Sequence, residues 1–276
     1  MNFVTLTSDI GTTDYLISAV KAQLLQVHPD LQLVDISHNI SPFNYPQASY
    51  ICRSAFRHFP EFTFHIILVN LFEKPPENLL LIFHRNQYIL CADNGLANMI
   101  FEEKPDIVMG IPLNKKSQNT TLDCTKIMAN TIKRILNGEA IQEIGIPDIN
   151  YIEKHPMQPI NDDNILEGQI IYIDNFENVI VNITRKQFEK QRRGRKFKIL
   201  FLRDETINKI SKSYADVHEG EKLAFFNSAD FLEIAVNKGN AAGLFGLKGF
   251  SDKASRSSVI MQSKLMYQTV KIHFEG

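Results

Sequence analysis

The run TFHIILVN (63–70) constrains this chain most. It is apolar almost without interruption, which is the pattern of a strand in a sheet covered on both faces. Such a strand belongs to a mainly parallel sheet flanked by helices. The neighbouring segments alternate as that architecture requires. FVTLTS (3–8) is strand-like, and TDYLISAVKAQLLQV (13–27) places Leu16, Val20, Leu24 and Val27 at helical spacing, with Asp14 able to support the helix start. LQLVDIS (31–37) reads as a strand, and Pro46 opens a helix that ends before Pro60. LLLIF (79–83) and YILCA (88–92) read as a strand pair across a short polar turn. IVMGI (107–111) adds a strand, and LDCTKIMANTIKRIL (122–136) a helix followed by Gly138.

The character changes after about residue 150. YIEKHPMQPINDDN is polar and contains two prolines, the composition of a linker. Beyond it the apolar segments are short: EGQIIYIDNF, NVIVNIT, KFKILFL, KLAFFNS, FLEIAVN, SVIMQS and YQTVKIHF, separated by turn-prone residues. That spacing suggests a small β-barrel or sandwich. The expected organisation is an α/β domain over 1–152, a linker over 153–164 and an all-β, barrel-like domain over 165–276.

Composition narrows the function classes. A net charge of −1 argues against a general nucleic-acid or anionic-membrane partner. The start, MNFVTLTSDIG, lacks the basic and apolar regions of a signal peptide, and no apolar run is long enough for a membrane span. Cys52, Cys91 and Cys124 are too few and too scattered for a disulfide framework or a zinc site, so a reducing, cytoplasmic setting is expected. The one basic run, RKQFEKQRRGRKFK (185–198), lacks interleaved aromatics and reads as a solvated hairpin tip around Gly194.

Several polar clusters stand where an α/β fold places ligands. SDIG (8–11) follows the first strand, and a carboxylate there can accept two hydrogen bonds from a ribose diol; helix capping by Asp9 is the alternative. No GxGxxG or P-loop accompanies it. DISHNISPFNYPQ (35–47) carries His38 and an exposed-looking Phe43 that could stack on a base or instead pack against the loop. ADNGLAN (92–98) reads as a tight turn or helix start. In IDNFENVIVNI (173–183), Asp174, Asn175, Asn178 and Asn182 interrupt apolar runs, although such residues are depleted in strands. An Asn side chain can serve an adenine edge with a donor and an acceptor. FFNSADFLEIAVNKGNAA (225–242) puts Ser228 in one turn and Asn237, Gly239 and Asn240 in another. No Ser-His-Asp or Cys-His order and no HExxH stands out.

Taken in order, TLTSDIGTTDY, LVDISHNISPF, FRHFPEFTFHIILVN, CADNGL, EGQIIYIDNFENVIVNI and NSADFLEIAVNKGNAA resemble the S-adenosylmethionine hydroxide adenosyltransferases, to which the fluorinase and chlorinase are similar. The resemblance runs from about residue 3 to 245. It implies an α/β domain joined to a β-barrel, a homotrimer, and a substrate site where the N-terminal domain of one subunit meets the C-terminal domain of the next. It implies no cofactor beyond S-adenosylmethionine itself. Asp9 matches the aspartate that holds the ribose hydroxyls, and Phe43 an aromatic lining the pocket. Asp174 and Ser228 match groups near the amino-acid end of the substrate, and Asn178 an asparagine that reads adenine. Glu177 replaces the usual glycine before it, where the backbone often needs a positive φ.

The stretch ILVNLFEKPPENLLLIF (67–83) departs from the family pattern. After this strand the family reads aspartate, then Pro-Gly-Val-Gly and arginine. Here Asn70 stands for the aspartate, the glycines are absent, and the arginine position falls on Glu77 or Asn78. Asp123, in TLDC (121–124), takes the place of a family histidine. The candidate catalytic set is therefore Asn70, Asp123 and Glu77, all substituted. In the family a nucleophile attacks ribose C5′ and expels methionine, so alignment and desolvation of the nucleophile matter most. A general base would add about 10²–10⁴-fold. Asn70 can orient water but is a poor base, whereas Asp123 or Glu77 could act as one. Three readings follow: a divergent S-adenosylmethionine hydrolase, a non-catalytic S-adenosylmethionine or adenosine binder, and a structural trimer with a vestigial pocket.

Overall fold

Leu79 and Leu81 reach one hydrophobic core while Leu80 and Ile82 reach another. A single strand thus serves both faces of a sheet, because successive side chains point to opposite sides. In the computed structural model, which describes residues 2–74, 77–101, 103–114, 119–202, 205–247 and 268–275, the chain divides into two compact units, Met1–Pro156 and Met157–Gly276.

The first unit runs β1 (Asn2–Ser8), α1 (Leu16–Val27), β2 (Leu31–Ser37), α2 (Tyr45–Phe56), β3 (Phe64–Leu68), β4 (Asn78–His84), β5 (Gln87–Ala92), α3 (Leu96–Phe101), β6 (Ile107–Pro112), α4 (Thr121–Leu136) and α5 (Ile141–Ile144). Its six-stranded sheet has the order β2-β1-β3-β5-β4-β6. The pairs β1–β2, β1–β3 and β3–β5 are parallel. Only β4 runs against its neighbours β5 and β6. The β4–β5 hairpin turns at Arg85 and Asn86, with φ of 49° and 58°, the positive values that match a two-residue turn to strand twist. Val20 and Leu24 of α1 and Met128 and Ile132 of α4 cover one face, with Leu6 and Leu81 beneath them. Ala48, Cys52 and Phe56 of α2 and Leu96 and Ile100 of α3 cover the other, over Ile67 and Leu80. The sequence reading of a mainly parallel, doubly covered sheet is thus what forms. The helix starts follow local chemistry: the Leu16 N–H donates to Asp14 Oδ1 (2.9 Å), and Asn44 caps α2 by accepting from the Gln47 N–H.

The second unit runs β7 (Ile160–Asp162), β8 (Ile165–Ile173), β9 (Val179–Thr184), α6 (Arg185–Arg192), β10 (Phe197–Leu202), β11 (Glu205–Ile207), a 3-10 turn (Tyr214–Asp216), β12 (Lys222–Phe226), β13 (Phe231–Val236), α7 (Ala241–Leu244) and β14 (Thr269–Phe274). The order is β11-β10-β14-β8-β9-β13-β12, with β7 on β8. All these pairings are antiparallel. The two ends of the order, β11 and β12, come into contact, and Ile210 bridges to Ala224. The sheet is therefore nearly closed and barrel-like, which removes most of its edge. SVIMQS lies outside the described residues. The stretch read as a linker contributes Lys154 to the first unit and β7 to the second.

One local reading is corrected. The basic run is not a hairpin tip; its first half is α6. Thr184 and Gln187 form a reciprocal capping box, so the helix start is specified locally. Phe188 is fully buried among Phe197, Phe226 and Phe274 at ring separations of 5.1, 5.4 and 5.9 Å. Arg193 and Gly194 then end the helix with φ of 48° and 77°. The anchoring aromatic outweighs the polarity of the rest. Among the described residues no helix is long and apolar enough to cross a membrane. Cys52, Cys91 and Cys124 are free and buried.

His65 on β3 is fully buried. It stacks on Phe56 with centroids 3.7 Å apart and places Nδ1 2.7 Å from Thr5 Oγ1. Loss of hydration lowers its pKa from 6.5 to about 3, against a smaller opposing effect of Gln87. Between those values the unfolded chain binds the proton and the folded chain does not. Stability therefore falls as pH drops below about 6.5, by roughly 1.4 kcal/mol per unit, levelling near pH 3. Urea unfolding followed by circular dichroism at several pH values, in the parent and in His65→Gln, is expected to show a shallower profile in the variant. Parallel profiles would refute the assignment.

Candidate functional site

The parallel strands β1, β3 and β5 end on one edge of the first unit's sheet, where open α/β folds bind ligands. Asp9 follows β1, Asn70 follows β3, and Asp93 and Asn94 follow β5. Asp9 does not cap a helix. Its Oδ2 accepts the Asn70 backbone N–H (2.8 Å), so the tip of one strand is tied to that of its neighbour. Burial pushes the Asp9 carboxyl above its ordinary 3.8, opposed by the N–H groups of Asn70 and of Asp9 itself. Asn94 holds the same loop from the other side: its Nδ2 donates to the carbonyls of Val69 (2.9 Å) and Asn70 (3.1 Å), and its Oδ1 accepts the Leu96 N–H. ADNGLAN is therefore both a helix start and a brace for the β3 loop. Asn70 adopts φ 48°, a left-handed conformation that asparagine tolerates.

His38 is buried. Its Nδ1 lies 2.8 Å from Ser8 Oγ. Its Nε2 lies 3.1 Å from Asp35 Oδ1, close enough for an ion pair but without hydrogen-bond alignment. The set has the composition of a hydrolytic triad, yet Ser8 is fully buried and no substrate carbon can reach it. Its work is to hold the turn after β1, together with the Gly11 N–H bond to the His38 carbonyl (2.8 Å). Phe43 stands clear of the fold: it is 65% exposed, with φ 62°. A packed loop aromatic would be covered; this one presents its ring to solvent.

The three substituted positions differ in their surroundings. Asn70 lies on the strand-end edge. Glu77 borders a cavity of about 250 Å³ whose lining includes Glu73, Lys74, Asp93 and Asn94. Asp123 is occupied by helix capping. Its carboxylate accepts the Thr120 N–H (2.9 Å) and hydroxyl (2.6 Å), completing a capping box at the start of α4. Those bonds, the hydroxyl's first, hold its carboxyl below 3.8, the wrong direction for a general base.

In the second unit, Asp174 and Asn178 close the β8–β9 turn. Asp174 Oδ1 accepts from the N–H groups of Phe176 (2.9 Å) and Asn178 (2.8 Å). Asn178 is 2% exposed, and its Nδ2 donates to Asp174 Oδ2 (3.0 Å) and Tyr214 Oη (2.8 Å). Tyr214 donates onward to Glu233 Oε1 (2.8 Å). Glu233, 5% exposed on β13, is raised above 4.5 by burial, with hydrogen bonds from Tyr214, Asn227 and Asn178 opposing. Sequence reading missed Glu233 and Tyr214; the lone glutamate inside FLEIAV is the signal that marks the first. Ser228 is exposed in the β12–β13 turn. Asn182 serves the fold, accepting the Gln169 N–H (2.7 Å) and donating to the Met157 carbonyl (2.7 Å). Glu177 has φ 62°, so a side chain occupies a left-handed position. The turn forms regardless: its carbonyl accepts the Ala242 N–H (2.9 Å), and its Oε2 accepts from Asn240 Nδ2 (2.8 Å).

Residues 4–145 match the family model for the SAM hydroxide adenosyltransferase N-terminal domain, and residues 168–252 the model for its C-terminal domain. An (R)-S-adenosyl-L-methionine hydrolase of Methanocaldococcus jannaschii is 23% identical over 261 residues, spanning 90% of this chain and 93% of that protein. A fluorinase of Actinopolyspora mzabensis is 22% identical, spanning 91% of this chain and 96% of its own. A crystal structure of an uncharacterized conserved protein from Thermotoga maritima superposes with a TM-score of 0.79 at 23% identity, covering 99% of this chain and 100% of its own. At that identity the superposition speaks for the fold.

Two substitutions separate structural from chemical roles. Glu177→Gly relieves a left-handed side chain and is expected to stabilise the second unit by up to about 1 kcal/mol, read as a higher urea midpoint; a lower midpoint would show that the Asn240 bond outweighs the strain. Asp123→Ala removes one arm of the capping box. It is expected to lower the melting temperature modestly while leaving ligand binding and any turnover at the parent level, and a collapse of turnover in a folded variant would return Asp123 to the catalytic set.

Proposed function

The chain belongs to the SAM hydroxide adenosyltransferase family, and from that premise we propose that it binds S-adenosylmethionine and hydrolyses it to adenosine and methionine with a divergent active site. The observation that carries this reading is Asp9. It is a partly buried carboxylate at the strand-end edge, fixed by the Asn70 N–H, and in this reading it accepts a pair of ribose hydroxyls. Phe43 offers an exposed ring for stacking. Asp174, Asn178 and Ser228 supply the remaining family positions, on the second unit, with the Asn178 amide protons already given to Asp174 and Tyr214 so that only its carbonyl oxygen is left for a base. As in the family resemblance, the proposed assembly is a homotrimer that combines Asp9 and Phe43 of one copy with Asp174, Asn178 and Ser228 of another.

The chemistry asks little of a base. Water attacks ribose C5′ in line with the C–S bond, the bond electrons return to sulfur, and neutral methionine leaves. The proton lost by the attacking water passes to solvent or to a nearby carboxylate. The substituted set still suits orientation: Asn70 accepts a hydrogen bond from water without removing its proton. The Asp9 carboxylate disfavours a halide nucleophile beside it by Coulomb repulsion. One observation favours a second reading, a binder without turnover. Asn70 replaces a carboxylate, and Asp123 is committed to capping.

Calorimetric titration with S-adenosylmethionine, followed by chromatography of the same sample for adenosine, separates the two. Binding with adenosine release above the buffer rate is expected; binding without release would establish the carrier reading, and no binding would end both. Asp9→Asn is expected to weaken binding by about tenfold or more, as a charge-assisted acceptor is lost. Because its folded pKa is raised, Asp9 takes up a proton at a higher pH than an ordinary aspartate. Affinity should therefore decline on acidification from above pH 3.8, and that decline should vanish in Asp9→Asn.

A further inference from the structure

Lys154, Glu73, Tyr45 and Asn70 form a single directed chain of hydrogen bonds. Lys154 Nζ lies 2.9 and 3.1 Å from the two oxygens of Glu73. It also sits 4.1 Å from the centre of the Tyr45 ring. Tyr45 Oη donates to Glu73 Oε2 (2.5 Å), and Asn70 Nδ2 donates to Tyr45 Oη (2.5 Å). The lysine's path is built into the fold: a Cβ on Gly95 would come within 2.5 Å of Lys154 Cγ, so the Asn94-Gly95 turn leaves room for its stem.

The direction of this chain follows from counting protons. An ionised Glu73, paired with Lys154, can only accept. Burial alone would raise its carboxyl, but the bonds from Tyr45 and Lys154 outweigh that and hold it below 4.5. Tyr45 has one hydroxyl proton, and Glu73 takes it. The tyrosine oxygen can then only accept from Asn70, so the amide must turn its NH₂ toward Tyr45. Turned the other way, two lone-pair oxygens would face each other at hydrogen-bond distance with no proton between them. We propose that Tyr45, Glu73 and Lys154 are positioning residues that lock Asn70 with its carbonyl oxygen presented on the strand-end edge beside Asp9. That edge then takes neutral hydroxyl-bearing groups, water or a sugar diol, and rejects anions.

Two donor groups beside Asn70 are already committed. Asn94 Nδ2 is spent on the carbonyls of Val69 and Asn70. The Asn70 N–H is spent on Asp9. Lys74, the other nearby cation, acts on Glu73 and Asp93. In its choice of water as nucleophile the inference rests on the hydrolase reading above, whereas the amide lock stands without it.

The decisive variant is Tyr45→Phe, which keeps the ring under Lys154 and deletes the hydroxyl. The side-chain amide of Asn70, assigned by its loss in Asn70→Asp, is followed by nuclear magnetic resonance in isotope-labelled, ligand-free protein. Its NH₂ protons are expected to exchange about tenfold faster in Tyr45→Phe than in the parent, the loss of one hydrogen bond. Glu73→Gln, whose amide can meet Tyr45 in either sense, should fall between them and provides a second variant if Tyr45→Phe folds poorly. A bromide titration should shift the Asn70 amide signals in Tyr45→Phe and leave the parent unmoved. Equal exchange in all three proteins, or bromide shifts in the parent, would overturn the proposal. Where adenosine release is measurable, Tyr45→Phe should lower kcat with little change in KM and become sensitive to chloride. An unchanged kcat would refute the link to the nucleophile while the exchange data still judge the lock. Absence of release in the parent would count against the hydrolase reading alone.

Discussion

The burial of β3 on both faces governs the first unit. Every residue from Phe64 to Leu68 is buried, so the strand can present chemistry only where it ends. The parallel neighbours β1 and β5 end on the same edge, and the polar residues collect there: Asp9, Asn70, Asp93 and Asn94. Leaving a backbone N–H unpaired at such an edge would be costly, and the Asp9–Asn70 bond removes that cost while fixing a carboxylate in place. The same bond raises the price of changing Asp9 for any other purpose, since fold and site share it.

The two units solve the same problem with different polar networks. In the first, a cation heads the chain: Lys154 holds Glu73 ionised, and direction propagates through Tyr45 to Asn70. In the second, Asp174 and Glu233 stand at opposite ends of a path through Asn178 and Tyr214. Burial, with a smaller push from the Asp174 charge, raises the Glu233 pKa, and the bridging donors keep both carboxylates satisfied. Networks of this kind are worth more complete than broken. That explains why Asn178, 2% exposed, has both amide protons committed within its own unit.

Much of the fold was legible from pattern. The doubly covered strand, the helical spacing of Leu16, Val20 and Leu24, and the short apolar runs of the second half each follow a local period, and local periods survive folding. The misread basic run shows the limit: a helix of eight residues with one anchoring phenylalanine has too little periodicity to be told from a turn. The site was legible in part. Asp9 and Asn70 stand just past β1 and β3, as the strand pattern implied, and Phe43 is exposed. Glu233, Tyr45 and Lys154 were not legible, because nothing in a one-dimensional string says that residues 45, 73 and 154 meet.

Sequence alone determined the class of fold, the change of architecture near residue 150, and the presence of a carboxylate after the first strand, because each depends on residues close together in the chain. Tertiary structure alone decided what those residues do. It let Glu177 stand in a left-handed turn held from α7, and it gave the Asn70 amide a direction, whereas the Thr120–Asp123 capping box is local and was open to a closer reading of TTLD. The reason is one of range: periodicity and turn chemistry are local, whereas the destination of each proton depends on which distant donors and acceptors the fold brings within hydrogen-bond reach.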